Sequence, residues 1–164
     1  MNNYLGLLVF LAASLSFSVT ASDKTSSVDA LGDISQDQLM SQYQKYQKNY
    51  QRFELMAEQL TQMSHWPESL KVEVYFGTWC HDSEREVPRL LKAFASQPQI
   101  KLILHALDRN KSEPSGKAKD LNIRYTPTFV IYLLDKEIGR IIERPKKGLI
   151  EDISQIIANH QIAH

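Results

Sequence analysis

Cysteine occurs once in this chain, at position 80, and its neighbours decide what that sulfur can do. It stands in Trp79-Cys80-His81-Asp82-Ser83, after the strand-like segment Leu70–Phe76 and the pair Gly77-Thr78, and before an amphipathic stretch from Ser83 to Ala95. A cysteine at a strand-to-helix turn meets the free N–H groups and positive dipole end of the helix, which favour the thiolate, the nucleophilic form of sulfur. A protonated His81 favours the anion as well, whereas Asp82 and Glu84 oppose it. A second thiol is absent, so an intramolecular disulfide, a CxxC pair and a multi-thiolate metal site within one chain are excluded. The alternative is an inert, half-buried cysteine beside solvated His81 and Asp82.

Other chemistry finds little support. His65, His81, His105, His160 and His164 lack metal-ligand spacing, and the pair His160 and His164 sits at a terminus. Four residues separate Cys80 from Arg85, one too few for a Cys-x5-Arg phosphate loop, and neither a Gly-rich phosphate loop nor a Ser-His-Asp elbow occurs. Lys146-Lys147 reads as surface charge. No metal and no cofactor is expected.

The elements that must hold Cys80 follow from periodicity. After Pro67, a strand is expected over Leu70–Phe76, a helix over Ser83–Ala95 with Val87, Leu90, Leu91 and Phe94 inward, and a strand over Ile100–Leu107. A polar loop at 109–117 precedes a short helix near Ala118–Leu121. Thr128–Leu134 and Glu137–Ile142 form a hairpin turning at Asp135-Lys136, and Leu149, Ile153, Ile156 and Ile157 mark a C-terminal helix. Upstream, Ser35 and Gln38 form a capping-box signature. Leu39, Tyr43, Tyr46, Tyr50, Phe53, Ala57 and Leu60 then make a 4-3-4-3 seam on one helix spanning 35–66, roughly 40 Å long. That seam has two readings: packing on the chain's own sheet, or a homodimer interface. The order gives an α/β fold, a mixed central sheet flanked by helices with an extended N-terminal helix; residues 67–164 form its compact domain.

Taken in order, VYFGTWCHDSEREVPRLL and IRYTPTFVIY resemble the thioredoxin superfamily. Trp79 and Cys80 match the family's Trp and nucleophile, Pro88 its helix-kinking proline, Thr126-Pro127-Thr128 its cis-proline segment, and Gly139 and Gly148 its later glycines. The resemblance covers roughly residues 68–160, puts the N-terminal helix in the place of the family's first helix, and implies a thioredoxin-like fold. It also implies a cis Thr126–Pro127 bond facing Cys80, with Trp79, Thr126 and Pro127 binding substrate. Two departures matter. Ser83 stands where the family has its resolving cysteine, giving a CxxS motif, and Val74 stands where it has a buried acid. The resemblance therefore implies a thiol-disulfide oxidoreductase of single-thiol type. Cys80 is the nucleophile, with His81 and Ser83 beside it, and partners are protein or glutathione thiols and disulfides. A non-catalytic peptide-binding or assembly module using the cis-proline groove is the alternative.

The 164 residues, 43% hydrophobic and 23% charged, suit one domain with a real core. Nineteen basic and nineteen acidic residues leave no net charge, which argues against nucleic acid as a partner. The charge-free run Leu5–Phe17 fits a secretory h-region, with Val19-Thr20-Ala21 as its cleavage site, although Met1–Tyr4 lacks a basic residue. Residues 1–21 are expected to be a signal peptide and 22–34 a flexible leader. The mature protein is then exported, periplasmic or secreted, with no stable membrane insertion.

Overall fold

A computed structural model describes residues 28–162. The expected signal peptide and residues 22–27 of the leader lie outside the described residues. The elements run β1 (Gly32–Asp33), α1 (Gln36–Gln42), α2 (Gln44–Arg52), α3 (Ala57–Met63), β2 (Leu70–Phe76), α4 (His81–Phe94), β3 (Lys101–Ala106), α5 (Lys117–Asp120), β4 (Thr128–Leu133), β5 (Lys136–Ile142) and α6 (Leu149–Ile162).

Five strands make one mixed sheet in the order β1-β3-β2-β4-β5. β2 and β3 are parallel, joined by α4 as the crossover that a parallel pair requires; the other pairs are antiparallel. β2 lies at the centre and is buried on both faces; Leu70, Val72, Val74, Tyr75 and Phe76 are fully buried, and its two charged residues, Lys71 and Glu73, share the face of Tyr75. Val72, Val74 and Phe76 point to one side, where Leu39, Tyr46, Met63, Leu90 and Ile153 bring α1, α2, α3, α4 and α6 into a single core. Burial of each such large side chain is worth about 1.5–3 kcal/mol. On the other side Tyr75, Val130 and Tyr132 pack with Leu107, Ala118 and Ile123, under the short α5.

The single helix expected over 35–66 is three short ones. The capping box at Ser35 and Gln38 starts the first, with Ser35 Oγ accepting from the Gln38 N–H at 3.2 Å. Tyr43 then leaves helical geometry (φ −121°, ψ 91°), and Phe53 and Met56 do so again. Strands of six or seven residues span only about 20–23 Å, so a straight 40 Å helix would overrun the sheet, and the breaks keep the chain on the core. They also change the register. Leu39, Tyr43 and Tyr46 are buried as expected, but beyond residue 53 the inward residues are Gln59, Met63 and Trp66, while Ala57 and Leu60 face solvent. The first half of the seam is thus consumed by the chain's own core, and Tyr46, 1% exposed, cannot serve a dimer seam.

The leader's end is part of the fold. Gly32 and Asp33 pair with Ala106 and His105, and Gly32 adopts φ +87°, a region open to glycine at little cost. A two-residue strand is too short to leave a periodic signal. Two further boundaries move: the β4–β5 turn is Leu134-Asp135, both at positive φ, and α4 begins at His81 rather than Ser83.

Candidate active site

Because α4 starts at His81, Cys80 is its N-cap residue, in extended geometry (φ −93°, ψ 123°). Its N–H donates to Gly77 O at 3.0 Å and its carbonyl accepts from the Glu84 N–H at 2.9 Å, so the backbone on either side of the sulfur is fixed. The side chain is half-buried and does not cap the helix. Instead the thiol donates to Thr126 O at 3.1 Å. The Thr126–Pro127 bond is cis, and both residues are buried. Fold and sequence together place the sulfur against a segment 46 residues downstream.

Trp79 and Ser83 brace this turn from opposite sides. The Trp79 indole lies over Gly77 so closely that a Cβ on Gly77 would come within 2.4 Å of Cε2, and its Nε1–H donates to Leu107 O at 3.0 Å. Ser83 is fully buried, its Oγ accepting from the Gly77 N–H at 3.3 Å. Ser83 is thus bound into the turn rather than displayed beside the sulfur. Val74, at the position that the family gives to an acid, is wholly buried in the apolar core. His81 is 86% exposed, with Nδ1 3.6 Å from Glu84 Oε2.

Further contributors come from α2 and from the segment after β5. Tyr46 Oη donates to Gly77 O at 3.0 Å. Burial, reinforced by nearby Glu84 and Cys80, holds that phenol's pKa well above the ordinary tyrosine value, so it stays a donor. From α2 come Lys45, on the buried Glu84 carboxylate at 2.8 Å, and Asn49, whose Nδ2 donates to Glu84 O at 2.7 Å. Pro88 lacks the N–H that would otherwise reach that carbonyl, and Asn49 takes its place. Finally, the Glu143 N–H bonds Pro127 O at 2.7 Å, and the next residue, Arg144, meets Asp82 Oδ1 at 3.0 Å. Asp82 also pairs with Arg85 at 2.8 Å. Burial opposes ionisation of Asp82, but hydrogen bonds from Arg144 and Arg85 outweigh it and hold the carboxyl below its usual range.

Of the six expected site residues, the turn and the cis-proline segment bring Trp79, Cys80, Thr126 and Pro127 together, with Ser83 beneath them and His81 turned to solvent. Tyr46 was legible only as an apolar seam member. Nothing in sequence spacing joins Asp82 to Arg144, 62 residues away. Among the described residues no three metal-binding side chains cluster, and no helix is long and apolar enough to cross a membrane. The chemistry on offer is that of one accessible sulfur at a helix N-terminus.

A mixed sheet with the cysteine before a helix and the proline before a later strand defines a thioredoxin-like fold. A family model described as thioredoxin matches residues 33–153, and the chain belongs to that family. Among solved structures, it is similar to a Pseudomonas aeruginosa protein of unknown function (18% identity, 71% of this chain and 84% of that one, TM-score 0.59). It is similar also to an HIV epitope scaffold (18%, 71% and 84%, TM-score 0.58) and to Fasciola hepatica thioredoxin (21%, 58% and 88%, TM-score 0.44). For the first two, at 18% identity, the likeness is one of fold. No curated protein matches the sequence.

Proposed function

We propose that the protein is a single-thiol exchange protein in which Cys80 forms mixed disulfides with protein or glutathione partners, after export to an oxidising compartment. The observation that supports this best is the half-buried Cys80 thiol at the N-cap of α4, 3.1 Å from Thr126 O. The thiol loses its proton to solvent and leaves the carbonyl, and the thiolate attacks one sulfur of a partner disulfide. The Cys80–partner S–S bond forms, the partner's own S–S bond breaks, and the departing sulfur carries the electron pair away as a thiolate. One disulfide replaces another, so no outside oxidant enters. With Ser83 in place of a resolving thiol, release requires a second thiol from glutathione or a partner.

The test is incubation with glutathione disulfide followed by intact mass. One glutathione per chain is expected, reversed by reductant and abolished in Cys80→Ser. Absence of the adduct, with a native fold by circular dichroism, would sink the exchange reading and leave the non-catalytic peptide-binding module as the better account.

A further inference from the structure

The two faces of Trp79 have different surroundings. One rests on Gly77. Over the ring lie the Arg109 guanidinium and the Lys111 ammonium, each 5.3 Å from its centroid. The loop beneath them is built before any ligand arrives. Asp108 Oδ1 accepts from the N–H groups of Asn110 and Ser112, both at 2.8 Å, and the Lys111 N–H bonds Asp108 O at 3.0 Å with Lys111 at φ +62°.

The charges around the sulfur are unevenly matched. On the α4 side each carboxylate already has a cation: Asp82 has Arg85 and Arg144, and Glu84 has Lys45. On the Trp79 side, Asp29 meets Arg109 at 3.4 Å, and no carboxylate among the described residues is paired with Lys111. With the Asp108 carboxylate taken up by the Asn110 and Ser112 N–H groups, Lys111 is left without a carboxylate partner over Trp79, the residue before the nucleophile, on a preorganised loop.

We infer that Arg109 and Lys111 set substrate preference, favouring partner disulfides that carry a carboxylate close to the attacked sulfur. This rests on the exchange reading of Cys80. The two cations raise the local concentration of an acidic partner and stabilise the thiolate that leaves.

Three small disulfides of similar size separate the possibilities: anionic dithiodipropionate, neutral bis(2-hydroxyethyl) disulfide and cationic cystamine. Their rates of adduct formation with Cys80 are measured by intact mass and referenced to a free thiol. The wild type should rank them anionic, neutral, cationic. The double variant Arg109→Gln/Lys111→Gln should lose about three- to ten-fold with the anion and nothing with the neutral compound. In 1 M salt, where the screening length is about 3 Å, the wild type should lose the same preference. Arg109→Lys/Lys111→Arg should keep it. Equal slowing with all three compounds would reduce the cations to packing on Trp79 and overturn the inference, as would no change. A wild type inert to all three would instead remove the exchange reading itself.

Discussion

Tyr46 and Gly77 lie 31 residues apart and meet through one hydrogen bond, phenol to carbonyl, at 3.0 Å. Tyr46 is buried from α2, and Gly77 closes the strand that delivers Trp79 and Cys80. The bond ties the N-terminal helices to the backbone of the site. Tyr46→Phe should therefore cost about 1 kcal/mol in urea denaturation while retaining the ring's packing. Because the folded pKa is raised, Tyr46's contribution is intact below the ordinary tyrosine range, about 10, and lost as pH climbs through the raised folded value. Tyr46→Glu should yield unfolded chain in sedimentation and circular dichroism, not a folded monomer released from a dimer.

Gly77 is needed for closeness. A methyl group there meets the Trp79 indole at 2.4 Å, so Gly77→Ala must push the ring off its seat. A loss of about 1–3 kcal/mol is expected, the usual cost of overpacking. The Cys80 alkylation rate should change with it, since the indole precedes the sulfur in the chain. Unaltered stability and an unaltered rate would show that the turn absorbs the methyl.

Ser83→Cys puts a thiol where the hydroxyl now accepts from Gly77 N–H, three residues after Cys80 on the same turn. An intramolecular disulfide should then form on mild oxidation, seen as loss of two hydrogens by mass and of both thiols by titration. The glutathione adduct should become transient, because the new thiol resolves it. Persistence of two free thiols would show that the buried side chain cannot turn toward the sulfur.

Asp82 couples α4 to the segment after β5 through Arg144. Its folded carboxyl titrates below the ordinary aspartate value, so the stability that it supplies is complete above about pH 4 and disappears as pH falls through the depressed folded value. Asp82→Asn should accordingly cost up to about 1 kcal/mol at pH 7 and little at pH 2, measured as the urea midpoint against wild type. Arg144→Gln should reproduce part of that pH-dependent loss.

Elements whose pattern is local were legible in the sequence. Leu70–Phe76 sets apolar Leu70, Val72, Val74 and Phe76 at alternate positions, with Pro67 before it and Gly77 after it, and its bounds coincide with β2. The Trp-Cys turn and the Thr-Pro-Thr segment could be paired because the resemblance supplies a geometry that spacing lacks. What escaped depends on long-range packing. A 4-3-4-3 seam describes one straight helix, and only the finite width of the sheet explains the breaks at Tyr43 and Phe53–Met56. His81 and Asp82 carry no apolar signal, so the amphipathic pattern begins only at Ser83, two residues inside α4, and does not mark Cys80 as the N-cap. Arg109 and Lys111 are ordinary loop charges until the loop folds back over Trp79.

The docking of residues 28–33 bears on how the protein is handled. Val28 O is held by Tyr43 Oη at 2.7 Å, Ala30 N–H by Thr78 Oγ1 at 3.0 Å, and Asp29 by Arg109. The polypeptide therefore enters the folded body at the rim of the sulfur site. It leaves along α6, whose 14 residues start near Arg144 and carry the chain about 21 Å away. Purification tags, fluorophores or surface tethers fused ahead of Val28 would emerge next to the nucleophile and compete with its partners. The same attachments after α6 leave that approach open, so partner-trapping experiments should be built from the far end.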